Sequence, residues 1–158
     1  MLKKYKDKFQ IKMIILTDNS IKKCQNTDIK LTLMMTLLTG NTWYGKYGFR
    51  PIKIINNEYD YDEFEYKKYE QNKNIMMKIK ISDINLIKYI KKTKNQHLIN
   101  ATEQIINNSP NMLLKDFLSN LLKNFDVTCK YFSKFYEKLY SKISVYDPHR
   151  KFYGIKLL

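Results

Sequence analysis

The second half of the chain carries two consecutive segments whose apolar residues recur at the spacing of an amphipathic helix. The first follows Ser109-Pro110, a serine cap with proline at the first helical position, and the second follows Asp126 as its cap. The two apolar stripes are Leu114, Phe117, Leu118, Leu121, Leu122 and Phe125, and then Cys129, Phe132, Phe135, Tyr136, Leu139 and Ile143. Two such helices in succession predict a helical hairpin that packs on a second layer.

Three segments predict β-strands. Phe9 to Leu16 is an apolar run typical of a buried strand, and the turn formers Asp18-Asn19-Ser20 close it. Ile75 to Ile81 alternates apolar residues with lysines, which predicts a half-buried strand. Asp147-Pro148-His149 breaks the helical pattern, and Phe152 to Leu158 predicts a final strand.

Other segments predict helices. Residues Ile29 to Leu38 alternate like a strand, yet their length and their Met and Leu content favour a helix ending at Gly40, and both interpretations stay open. Ser82 is expected to cap a helix through about Lys92, and a short helix is expected from Gln96 to Ile106.

One short stretch is strongly acidic, with six of the chain's 15 acidic residues: Glu58, Asp60, Asp62, Glu63, Glu65 and Glu70. Carboxylates are favourable near the positive N-terminal end of a helix. The stretch therefore predicts a surface loop that enters a helix, with a divalent-cation cluster as the less common alternative.

Together these segments predict an α+β fold in a single domain, residues 1–158, without an internal repeat or a linker. A small sheet from the first half and the C-terminal strand is covered by the helices of Asp83 to Lys142, which include the C-terminal helical hairpin. The first and last strands are expected to lie side by side.

Composition limits the class of protein. A hydrophobic fraction of 44% predicts a folded chain, and no apolar run reaches the roughly 18 residues of a membrane span. The two cysteines, Cys24 and Cys129, form no C-x-x-C pair, which suits a reducing compartment and predicts an intracellular protein of the cytoplasm or a virion.

The most distinctive motif is Thr42 to Pro51, which reads T-W-Y-G-K-Y-G-F-R-P. Three of the chain's four glycines, Gly40, Gly45 and Gly48, lie in it or just before it. The motif predicts a short aromatic helix that ends at Gly48 in the left-handed conformation, with Phe49 packed into the core. An aromatic corner that packs a helix end onto the sheet would account for these residues without any catalytic role.

Residues 42–51 also resemble the closing motif of the GCN5-related N-acetyltransferase family, a tyrosine-bearing helix followed by Lys-x-Gly-Phe; Tyr44, Lys46, Gly48 and Phe49 match in order and spacing. The resemblance implies acetyl-CoA as cofactor and Tyr44 as the catalytic general acid that protonates the departing thiolate. That family binds pyrophosphate on a glycine-containing turn before the tyrosine, whereas residues 1–39 contain no glycine. The block from Leu31 to Phe49 is similar to uncharacterised proteins of large DNA viruses with AT-rich genomes.

The sequence gives little support for a metal site, a catalytic nucleophile or a nucleotide-binding loop. The cysteines, His97 and His149 show no metal-ligand spacing, so no metal site is expected. A nucleophile pair of Cys129 and His149 would have to meet in space, and neither glycine-rich nucleotide loop is present.

Lysines supply the strongest functional signal in a chain of formal net charge +14. One set surrounds Tyr89, and the other recurs every fourth residue along one edge of the last helix: Lys88, Lys91, Lys92 and Lys94, and then Lys130, Lys134, Lys138 and Lys142. Such a stripe neutralises phosphates, whereas the only arginines are Arg50 and Arg150, too few for base readout.

Three functions follow as hypotheses. The first is a non-enzymatic basic accessory protein, viral in origin, that needs no cofactor and binds nucleic acid or an acidic protein surface without sequence specificity. The second is an acetyltransferase-like protein that uses Tyr44, and the third is a structural virion protein that self-associates through an apolar patch.

Overall fold

The computed structural model describes residues 10–23, 28–124, 129–148 and 152–157. Short 3-10 turns at Gly45–Tyr47, Ile81–Asp83 and Lys91–Thr93 connect the main elements. In chain order these elements are β1 (Met13–Thr17), β2 (Ile21–Lys23), β3 (Asp28–Lys30), α1 (Leu31–Thr39), β4 (Arg50–Ile55), β5 (Glu58–Tyr61), α2 (Glu63–Lys78), α3 (Leu86–Ile90), α4 (Gln96–Asn108), α5 (Leu114–Asn124), α6 (Cys129–Ile143) and β6 (Phe152–Lys156).

Four strands form an antiparallel sheet in the order β1-β6-β4-β5. The last strand therefore lies in the interior of the sheet and pairs with the first, as the sequence predicts. Gly154 faces Ile15 on one side and Arg50 on the other. A Cβ atom at position 154 would lie 2.8 Å from the Met13 sulfur and 2.9 Å from a methyl of Ile52, so the close fit of these strands requires glycine.

The helices form the other layer, which confirms the α+β class. Helix α1 contacts α2, α5 and α6, and α2 also contacts β4. Both predicted stripes face this core: Leu114, Phe117, Leu118 and Leu121 are wholly buried, and Phe132, Phe135, Tyr136 and Leu139 are at most 3% exposed. The apolar residues of α5 and α6, which both pack against α1, thus provide much of the helical layer.

A buried polar network joins the two layers. Asn72 of α2 donates to the Tyr140 hydroxyl and accepts hydrogen bonds from the Ser144 hydroxyl and the Val145 N–H, 2.8 and 3.0 Å away. Tyr140 in turn donates to the carbonyl of Tyr146, whose hydroxyl lies 2.9 Å from that of Tyr153 in β6. Every link is buried or partly buried, so the network fixes the end of α6 against the sheet.

The predicted strand at Ile75 to Ile81 is wrong. Its first residues form the last turn of α2, and a 3-10 turn begins at Ile81. The alternation of lysines with apolar residues also fits a helix there, because Met76 is buried within α2 and Ile79 caps its end.

Helix boundaries differ from the prediction in two places. Ser109 ends α4, since its N–H donates to the Ile105 carbonyl, and the next helix begins at Leu114 rather than at Pro110. Ser82 lies within a 3-10 turn, and Asn85 caps α3 by accepting from the Lys88 N–H. The predicted cap at Asp126 lies outside the described residues.

The acidic stretch is a strand followed by a helix. Glu58–Tyr61 pairs with β4 through a tight turn at Asn56 and Asn57, whose φ angles of 51° and 64° asparagine tolerates well. Asp62 then caps α2 by accepting from the Glu65 N–H, so the entry into a helix is confirmed but the loop is not.

The segment Ile29 to Leu38, for which the sequence allows either a strand or a helix, is mostly helical. Ile29 belongs to the short hairpin of β2 and β3, and α1 runs from Leu31 to Thr39. Gly40, at φ 73°, ends it as predicted.

Candidate functional site

The lysines of α6 project from the side of the helix opposite the core. Lys134, Lys138 and Lys142 are exposed, while residues of the opposite face are buried. Lys130 lies in the first turn of the same helix, and its side chain is outside the described residues. Glu137, the only acidic residue of α6, pairs with Lys30 of β3 at 3.2 Å. The helix therefore keeps an edge of lysines that its own carboxylate leaves unneutralised.

The second set of lysines lies on α3 and on the 3-10 turn that follows it. Lys88, Lys91, Lys92 and Lys94 are exposed. Buried neighbours anchor this segment to the core, since Leu86, Ile90 and Thr93 are at most 6% exposed.

The two sets lie on neighbouring elements, because α3 and the Lys91–Thr93 turn both contact α6. We call the exposed side chains of both sets the lysine face: Lys88, Lys91, Lys92, Lys94, Lys134, Lys138 and Lys142. Among the described residues, the one ion pair of this face is between Lys91 and Glu103, at 3.8 Å. At that distance and exposure the pair is weak, so the face remains strongly cationic.

The Thr42 to Pro51 motif forms the predicted aromatic turn, which ends at Gly48 with φ 87°. Tyr44 is half-buried and its ring packs on Phe49 with centroids 5.9 Å apart. The Lys46 ammonium lies 4.1 Å from the Trp43 ring centroid. In the described part of the chain the Tyr44 hydroxyl has no hydrogen-bond partner, and its role as a general acid stays a prediction.

A pyrophosphate site before Tyr44 would need free backbone N–H groups. In the turn after β1 the Ser20 N–H and hydroxyl both donate to Asp18, a buried carboxylate that would repel phosphate. The N–H of Leu31, at the start of α1, donates to the Ser20 carbonyl. These contacts occupy three of the donors near the start of α1 that an acetyl-CoA pyrophosphate could use.

Other candidate sites are not assembled. No group of three or more metal-ligating side chains occurs within the described ranges. Cys24 and His149 are outside those ranges, as is the Cys129 side chain, so the nucleophile pair stays a prediction. The acidic carboxylates pair with cations instead: Asp60 with Lys156 at 2.8 Å, and Glu63 with Arg50 at 2.8 Å.

The sequence did not reveal that the acidic stretch forms an edge strand. Within the described residues its outer side has no partner strand, and the tip of the hairpin exposes Ile54, Ile55 and Tyr59. The Asn56-Asn57 pair between two alternating runs is the signal that could have identified this hairpin.

Comparison of the chain with protein-family models, with curated proteins and with solved structures finds no match. Among the helices of the described residues, none is both long and apolar enough to cross a bilayer. The lysine face is therefore the feature of the molecule that bears most directly on its function.

Proposed function

We propose that this chain is a basic accessory protein that binds nucleic acid through the lysine face and contacts the phosphate backbone. The observation that carries the proposal is the presence of seven exposed lysines on neighbouring elements of the helical layer. Cations in such an arrangement displace condensed counterions from a polyanion, which is the main source of non-specific affinity.

The presence of lysine rather than arginine in this face supports contact with the phosphate backbone rather than recognition of the bases. Bidentate recognition of guanine is the common specific contact and uses arginine. Arg50 already pairs with Glu63 and stacks on the rings of Tyr61 and Tyr66, 4.5 and 3.8 Å from their centroids. With no arginine in the lysine face, binding should tolerate any sequence.

The first prediction concerns the lysines of α6. Reversing their charge in the triple variant Lys134→Glu, Lys138→Glu and Lys142→Glu should weaken binding to single-stranded DNA by roughly tenfold or more. The slope of log affinity against log salt should fall by about 2, because each lost phosphate contact on a single strand removes about 0.7. Fluorescence anisotropy of a labelled oligonucleotide at several salt concentrations measures both quantities.

A matched control carries the same charge change elsewhere. Lys53, Lys67 and Lys78 are exposed on β4 and α2, and their replacement by Glu lowers the net charge equally. The control should keep most of the affinity and of the salt slope. Equal losses in both variants would show that net charge alone drives binding, and unchanged affinity in the α6 variant would refute the proposed face. Binding to polyglutamate but not to DNA would instead indicate an acidic protein partner.

A further inference from the structure

Asp18, in the turn after β1, is a buried carboxylate with a hydrogen-bond partner on one oxygen only. It is 7% exposed, and its Oδ1 accepts from the Ser20 hydroxyl and from the Ser20 N–H, the latter at 3.3 Å. Its Oδ2 is buried and accepts no hydrogen bond from any described residue. Burying a polar group without a partner is costly, most of all for a charged one. Oδ2 therefore requires a donor or a cation.

The carboxylate lines a small cavity between the end of β1 and the start of α1. The cavity has a volume of about 140 Å³, and Ser20 and Thr32 also line it. Thr32, in the first turn of α1, is 2% exposed, and its hydroxyl oxygen lies 3.4 Å from that of Ser20. Pockets for drug-sized ligands begin at roughly 300 Å³, so this cavity suits a ligand of a few non-hydrogen atoms.

Of the described residues that line the cavity, Lys30 alone is cationic, and its charge is paired elsewhere. Its ammonium lies 3.2 Å from the Glu137 carboxylate on α6, and within the described ranges it forms no ion pair with Asp18. A net charge of +14 also repels cations from most of the molecule. A small cation would therefore bind only where a carboxylate such as Asp18 attracts it.

We propose that this cavity binds a small primary amine in its protonated form, with the ammonium group on Asp18. An ammonium has three N–H donors and no acceptor. Three oxygens of the cavity can accept from it: Asp18 Oδ2, Ser20 Oγ and Thr32 Oγ1. The Ser20 hydroxyl donates its proton to Oδ1, so towards a ligand it acts as an acceptor.

The remaining wall of the cavity favours an amine over a divalent metal ion. Ile21, which is 44% exposed, also lines the cavity and offers an apolar surface to a short alkyl chain. Three oxygens are too few for Ca²⁺, which takes roughly six to eight oxygen ligands. The inference does not depend on the proposed function, because Asp18 is not part of the lysine face.

Titration with methylammonium chloride at constant ionic strength tests the inference, with the amide NMR signals of Ser20 and Thr32 as the readout. Their shifts should saturate with a Kd on the order of 1–10 mM, since so small a ligand cannot bind much more tightly. Tetramethylammonium has the same charge but no N–H donor and should leave both signals unchanged. Equal shifts with the two ions, saturation with sodium or potassium instead, or no saturation at all would each overturn the inference.

Substitutions at the oxygens identify the site. Asp18→Asn keeps an acceptor for Ser20 but removes the charge, and it should weaken methylammonium binding roughly tenfold or more. Thr32→Val removes one acceptor and should weaken binding roughly threefold. The matched control Asp28→Asn, at an exposed carboxylate of β3, should bind like the original chain. Unchanged affinity in Asp18→Asn, with the fold verified by circular dichroism, would overturn the inference.

A thermal melt of the original chain provides a check that needs no substitution. A ligand that binds the folded state alone stabilises it, so about 100 mM methylammonium should raise the Tm by roughly 3 °C or more. The comparison is with tetramethylammonium at the same concentration, which should give no such increase. Equal melting temperatures in the two salts would contradict binding at Asp18, whether or not the chain binds DNA.

Discussion

At the scale of single residues, Gly45 shows how the aromatic turn is fitted to α2. A Cβ atom at position 45 would collide with the Tyr69 hydroxyl and lie 2.8 Å from the Thr42 side-chain oxygen. Tyr69 is buried and donates to the Asn41 side chain at 3.0 Å, so it cannot withdraw without losing that bond. The glycine is therefore needed for packing between the motif and the helix.

The change Gly45→Ala should lower the free energy of unfolding by about 1–3 kcal/mol, because an added methyl overpacks a filled site. Urea unfolding followed by Trp43 fluorescence measures the loss. Tyr47→Ala, in the same turn but at a side chain that is 61% exposed, should change it by about 0.5 kcal/mol or less. Similar effects from the two changes would mean that position 45 is not constrained by Tyr69.

At the scale of elements, Asn72 links α2 to the residues that follow α6. Its amide is fully buried and bonds Tyr140 near the end of α6 and Ser144 and Val145 just after it. Asn72→Ala should lower the free energy of unfolding by about 1–3 kcal/mol, because it leaves the Val145 N–H without its buried acceptor. Asn74→Ala, at an exposed position of the same helix, is the control and should cost little in a thermal melt. A melting temperature unchanged by the Asn72 substitution would show that water replaces the amide.

The elements that the sequence predicts well are those with a long, consistent apolar period. The stripes of α5 and α6 extend over several turns, so no strand interpretation competes with them. Ile75 to Ile81 is too short to separate a period of two from a helical one, and the helix there continues from a cap at Asp62, thirteen residues earlier. The lysine edge of α6 was predictable from spacing, but the contact of α6 with α3 depends on tertiary packing that local patterns do not encode.

At the scale of the whole molecule, buried tyrosines make stability depend on alkaline pH. Burial raises the pKa of Tyr69 from 10.0 to about 12, and burial also raises the pKa values of Tyr136, Tyr140, Tyr146 and Tyr153. The folded state then binds more protons than the unfolded state above pH 10. The stabilisation is complete below about pH 10 and is lost as the pH rises through about 12 and beyond.

Part of the tyrosinate absorbance should therefore appear only at strongly alkaline pH, because the five buried tyrosines ionise together with the loss of helical circular dichroism. A single smooth titration of all 13 tyrosines near pH 10, with the fold retained, would contradict the burial of these side chains.

The position of β6 affects how the chain can fold as it leaves the ribosome. Because β6 separates β1 from β4, the four-stranded sheet cannot close until Phe152–Lys156 has been synthesised. Among the described residues the helical core of α1 to α6 contains none beyond Ile143, so its packing does not depend on β6. Until β6 is in place, β1 has no neighbouring strand in the four-stranded sheet. Formation of this sheet is therefore a late event, and it brings together residues near the two ends of the described chain.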